Sequence, residues 1–157
     1  MENIYSSVEY SLIKLFYSDK KAKRSGIPYI NHINEGLELL RNTDIEAQKA
    51  FCLHPIIQSD ADFQQNHGIL YKVPNISREA IVYAIEYRHV ANSFLPRDTY
   101  TKTPVKASLF LVNEMLKADK IQNYSDFNKN REKYINEVQL EVYFKEWFNT
   151  LGIRGHV

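Results

Sequence analysis

Apolar residues recur at helical spacing along nearly the whole chain. Ile4, Val8, Leu12, Leu15 and Phe16 predict a first amphipathic helix. The segment "KRSGIPY" interrupts it with Gly26 and Pro28, a turn signal, and the helical pattern resumes with Ile30, Ile33, Leu37 and Leu40. Asp44 is placed to cap a third helix whose inner side carries Ala47, Ala50, Phe51 and Leu53. Pro55 disfavours helical geometry at the residue before it, so that helix is expected to finish near His54. Residues 55–75 have no clear period, hold Pro55, Gly68 and Pro74, and predict a long loop with at most a short helical turn. Ser77 is the cap of the next helix, followed by Glu79, Ile81, Ala84, Ile85, Val90 and Leu95. Thr103 and Pro104 form a cap and a favoured first residue, opening a helix through Val105, Leu109, Val112 and Leu116 to about Asn123. A last helix is expected over about 129–149, with Tyr134, Val138, Val142, Phe144 and Phe148. Nothing alternates with period two for long and no internal repeat occurs. The pattern predicts an all-α, single-domain fold over residues 1–157.

Composition narrows the classes of function. A chain of 157 residues can bury a core of its own, and 11 Tyr, 8 Phe and 1 Trp supply it. Lys plus Arg number 20 and Asp plus Glu 19, a formal net charge of +1, so the broad attraction behind non-specific nucleic-acid binding is missing. The basic run "KKAKR" (Lys20, Lys21, Lys23, Arg24) is most simply a solvated charge run. The lone Cys52, between Phe51 and Leu53, can form no internal disulfide and fits a small buried hydrophobe. The N-terminus is acidic and polar, unlike a signal peptide, and no apolar run suits a membrane span. The expectation is a cytoplasmic protein with neither membrane nor nucleic acid as partner.

Candidate chemistry gathers at the ends of predicted helices: His32 in "PYINHI", His54 in "FCLHPIIQSD" and Asp119 in "MLKADKIQNY". Two imidazoles and a carboxylate are competent ligands for a divalent transition metal. Taken singly, a histidine near a helix end is more often hydrogen-bonded and structural. His67 and His156 fit solvated positions, and His89 fits either a pocket wall or the surface.

The order of these segments resembles the HD-domain superfamily, and most of all the (p)ppGpp hydrolase domains of the RelA/SpoT and small alarmone hydrolase type. "KRSGIPYINHI", a histidine closing a helix, and "KADKIQN" follow in the family's order across about residues 5–125. The separations are 22 residues from His32 to His54 and 65 from His54 to Asp119. The resemblance implies an HD-like helical bundle with His32, His54 and Asp119 as metal ligands. It implies Ser25 and Asn123 as pocket-lining residues, and it places the family's arginine at Lys23, with Arg24 directly after it. It fails in the middle. The position of the HD aspartate holds Pro55, and the pair of acidic residues that helps activate water corresponds to Gln58 and Ser59.

Physical chemistry gives that failure a consequence. Hydrolysis at a divalent metal near pH 7 needs a positioned base, which Gln and Ser cannot supply, and loss of a carboxylate ligand weakens the hold on the ion. Asp60 and Asp62 follow closely and are candidates for a substitute ligand or base. Three readings of function result. One is a degenerate HD protein that holds a divalent metal (Mn, Fe or Zn) weakly and binds a nucleotide or phosphorylated small molecule through Lys23, Arg24, Ser25 and Asn123. It has no catalytic residue and little hydrolysis. Another is an active phosphohydrolase with altered ligation. The last is a protein-interaction module, for which "EYRHVANSFLPRDTY" is the strongest segment.

Overall fold

The computed structural model describes residues 2–23 and 25–155; Arg24 and His156, named above, lie outside the described residues. The fold is all-α, and the described residues form no strand, only an isolated antiparallel bridge between Lys21 and Pro28. The helices are α1 (Val8–Tyr17), α2 (Tyr29–Leu39), α3 (Ile45–Leu53), α4 (Asp60–Asn66), α5 (Ile69–Lys72), α6 (Arg78–Asn92), α7 (Phe110–Lys129) and α8 (Glu137–Leu151). Among the described residues no helix is long and apolar enough to cross a membrane.

Local chemistry sets most boundaries. Ser7 accepts from the Tyr10 N–H to open α1, Asp44 from Glu46 to open α3, and Ser77 from Ala80 to open α6. The turn between α1 and α2 closes through Ala22 N–H to the Ile27 carbonyl, 2.8 Å. Gly26 stands there at φ 72°, a left-handed conformation that residues with a Cβ rarely adopt.

The core is built where α3 packs on α1 and α6, with α7 crossing α2, α6 and α8. Phe51 is fully buried, which contributes about 1.5–3 kcal/mol relative to an exposed ring. It reaches α2 because Gly36 has no side chain: a Cβ there would lie 2.3 Å from the Phe51 ring. The same ring sits under the His32 and His54 imidazoles, with centroids 5.5 and 4.7 Å away. Core packing therefore sets the pose of both histidines.

Several elements differ from the sequence pattern. Residues 55–75 are largely helical: a 3-10 turn over His54–Ile57, then α4 and α5. Ser59 and Asp62 form a capping box that starts α4, a local hydrogen-bond signal that hydrophobic periodicity does not carry. Thr103 and Pro104 do not open a helix. Pro104 is buried, its carbonyl accepts from the Thr150 hydroxyl at 3.4 Å, and the helix begins at Phe110. Asn113 holds both backbone groups of Ala107 (2.8 and 3.0 Å), closing that extended segment onto the first turn of α7. At its other end α7 continues past Asn123 to Lys129, because Tyr124 and Phe127 still bury against Phe144 of α8. The last helix starts at Glu137 rather than about 129, and Leu95 lies beyond the end of α6.

Candidate metal centre

His32 lies in the first turns of α2, His54 directly follows α3, and Asp119 is mid-way along α7 rather than near a helix end. These three residues, far apart in sequence, converge: one ligand atom from each lies within 4.8 Å of the others. Asp119 Oδ1 is 3.1 Å from His32 Nε2 and 3.7 Å from His54 Nε2. Donors bound at about 2.1 Å with tetrahedral angles stand roughly 3.4 Å apart, so both separations suit one ion.

The donor set fits a metal in a further respect. His54 Nδ1 contacts the Phe51 carbonyl at 2.6 Å, and that oxygen can only accept, so Nδ1 carries the proton and Nε2 keeps its lone pair toward Asp119. His32 Nδ1 bonds the Gln122 Oε1. Gln122 is oriented in turn, because its amide nitrogen donates to Glu35 at 2.9 Å and Asp126 at 2.8 Å, leaving only the oxygen for His32. Both imidazoles thus turn Nε2 inward, held by partners of the kind that orient metal-ligating histidines.

Burial and charge act together here. Asp119 is 3% and Lys120 4% exposed, and the Lys120 ammonium is 3.0 Å from Asp119 Oδ2. Burial alone would raise the Asp119 pKa, but Lys120 and the two histidines hold it well below the usual carboxylate range. Burial pulls the His32 pKa down, and the Asp119 bond and charge outweigh it, so the net shift is upward. His54 lies deeper and burial dominates, lowering its pKa to about 3. Tyr87 is fully buried, with its ring 4.6 Å from that of His54. Burial and the charge of Asp119 push its pKa well up.

The centre opens on a cavity of about 410 Å³, within the size range of small-molecule sites. Ser25 and Asn123 line it, as does Gln58. Lys23 is exposed and does not line the cavity, and Arg24 is not among the described residues. Aromatic rings from several elements form much of the wall: Tyr17, Tyr29, Phe127, Tyr134, Tyr143 and Phe144. Asp60 and Asp62 do not reach. The Asp60 side chain is 90% exposed and pairs with Arg88 at 2.5 Å, while Asp62 is spent on the capping box of α4. His89 and His67 are exposed, and Tyr87, Val90, Ala91 and Phe94 of the aromatic segment belong to the core.

Sequence reasoning missed Gln122, Asp126, Lys120 and Tyr143. Gln122 and Asp126 lie three and seven residues after Asp119, on the same helix face, and that spacing could have found them. Nothing in the pattern around Lys120 signals a buried ammonium. Compared with family models, curated proteins and solved structures, the chain matches none of them.

Proposed function

We propose that the chain is a degenerate HD-type protein that binds a nucleotide or another phosphorylated small molecule at a weakly held divalent metal (Mn, Fe or Zn), with little or no hydrolysis. The observation that carries this reading is the inward pair of Nε2 atoms with Asp119 Oδ1, opening on a cavity to which the stretch after His54 contributes Gln58 and no carboxylate. A two-histidine, one-carboxylate face leaves positions free for ligand oxygens. His32, His54 and Asp119 would hold the ion, which supplies Lewis acidity toward a phosphate. Ser25 and Asn123 border the space the rest of the ligand would fill. No carboxylate from residues 55–62 points there to take a proton from water, so binding outlasts turnover.

A titration with Co²⁺ or Mn²⁺, followed by melting with a panel of nucleotides, tests the reading. Metal uptake by the wild type and none by His54→Ala is expected, with nucleotides raising the melting temperature only in the presence of metal. Hydrolysis of (p)ppGpp, read as pyrophosphate release, should stay well below the roughly 1 s⁻¹ of ordinary enzymes. Turnover at or above that rate would make the protein an active phosphohydrolase with altered ligation. Failure to take up any metal would remove the basis of the proposal.

A further inference from the structure

We propose that Tyr143, on α8, is a ligand-binding residue of this centre, donating its phenolic proton to an anionic oxygen such as that of a phosphate group. The inference rests on the metal-centre reading above and adds a function for the C-terminal helix. The phenol oxygen is 3.0 Å from Lys120 Nζ. An ammonium has no lone pair, so Lys120 donates and Tyr143 accepts, and the phenol's own proton must point elsewhere. Among the described residues no group accepts it. Tyr143 is 8% exposed and lines the cavity beside the metal ligands, so a molecule in the cavity is the acceptor left to it.

The surroundings fix this donor in place and set the charge it serves. The Tyr143 ring stacks on Phe94 with an interplanar angle of 5° and meets Phe144 edge-on. Lys120 is confined between Asp119 Oδ2 at 3.0 Å and the face of Trp147, 5.2 Å from its centroid. Its positive charge offsets that of Asp119, so a dication held by His32, His54 and Asp119 retains most of its charge toward the cavity. That favours an anion, and a phenol polarised by an adjacent ammonium is a strong donor to one. The phenol oxygen and Asp119 Oδ2 each lie 3.0 Å from the same Lys120 ammonium, which places the donor on the side of the centre that the ligand would approach.

The test uses the cobalt-loaded protein and inorganic phosphate, read by the change in the cobalt absorption band. Tyr143→Phe keeps the ring and deletes only the hydroxyl. Cobalt uptake should remain within about twofold of wild type, while phosphate binding weakens about tenfold, the size of one charge-assisted hydrogen bond. Equal phosphate affinity in variant and wild type overturns the inference, as does a wild-type cobalt band that phosphate leaves unchanged. A wild type that takes up no cobalt defeats the metal-centre reading itself. Meta-fluorotyrosine at position 143 retains the hydroxyl and guards against a variant that does not fold. In the zinc-loaded protein its fluorine resonance should shift as phosphate is added, and a resonance that stays fixed overturns the proposal.

Discussion

His32, His54 and Asp119 sit in a dense frame. Phe51 packs beneath both imidazoles, Gln122 and the Phe51 carbonyl fix the ring nitrogens, and Lys120 takes the outer oxygen of the carboxylate. The stretch after His54 is equally ordered, but of residues 55–62 only Gln58 lines the cavity. Arg88 Nε donates to the Ile57 carbonyl at 2.8 Å, Asn92 to that of Gln58 at 2.7 Å, and Asn66 to that of Ile56 at 3.0 Å. Arg88 also lies 4.7 Å over the Phe63 ring while holding Asp60 outside. Both regions are tightly held, yet one directs its polar groups at the cavity and the other spends its backbone carbonyls on tying the turn after α3 to α4 and α6.

The largest expected effect separates the two regions by substituting an aspartate in each. Asp119→Ala leaves Lys120 buried without its counter-charge, and breaking a buried pair from one side destabilises by about 3–5 kcal/mol. It should also abolish metal uptake. Asp60→Ala removes an exposed partner and should change stability by less than about 1 kcal/mol, with metal uptake intact. Denaturant unfolding and a cobalt titration of the two variants measure both effects. Similar losses from the two substitutions would erase the distinction between the regions.

The next effect probes the support around His32. Gln122→Leu removes the acceptor that fixes Nδ1–H, so the imidazole can turn Nε2 away from the centre. Metal affinity should fall about 10–100-fold, the range for outer partners of metal ligands. Circular dichroism should report the same helix content. Unchanged affinity would mean that Asp119 alone orients the ring.

Parts of this contrast are legible in the sequence and parts are not. His32, His54 and Asp119 stand out because each is a potential ligand beside an apolar helical run, and the structure brings them together. The all-α fold follows from spacing, and the α3 and α6 starts follow from Asp44 and Ser77 acting as caps. The direction of the stretch after His54 is not legible, because it depends on Arg88 and Asn92 reaching about thirty positions back along the chain. The burial of Lys120 is hidden for a similar reason. A lysine in an amphipathic pattern is ordinarily placed in water, and only the approach of Tyr143 and Trp147 from α8 makes an enclosed site for it.

The smallest effect is a gain. Gln58 lines the cavity, its backbone is anchored through its carbonyl, and Gln58→Glu changes the side chain almost without changing its size. The new carboxylate would join a cavity that already holds Asp119 and Asp126, so without metal it adds repulsion. With a dication present the sign reverses, because an added anionic oxygen near the centre attracts the ion and can act as a ligand or accept from its water. Metal affinity should therefore rise about tenfold while the metal-free protein melts slightly earlier. The two shifts must come from the same variant. An earlier melt with no gain in affinity would mean that Gln58 borders the cavity too far from the centre to complete it. The missing acidic function would then have to come from a residue beyond the stretch after His54.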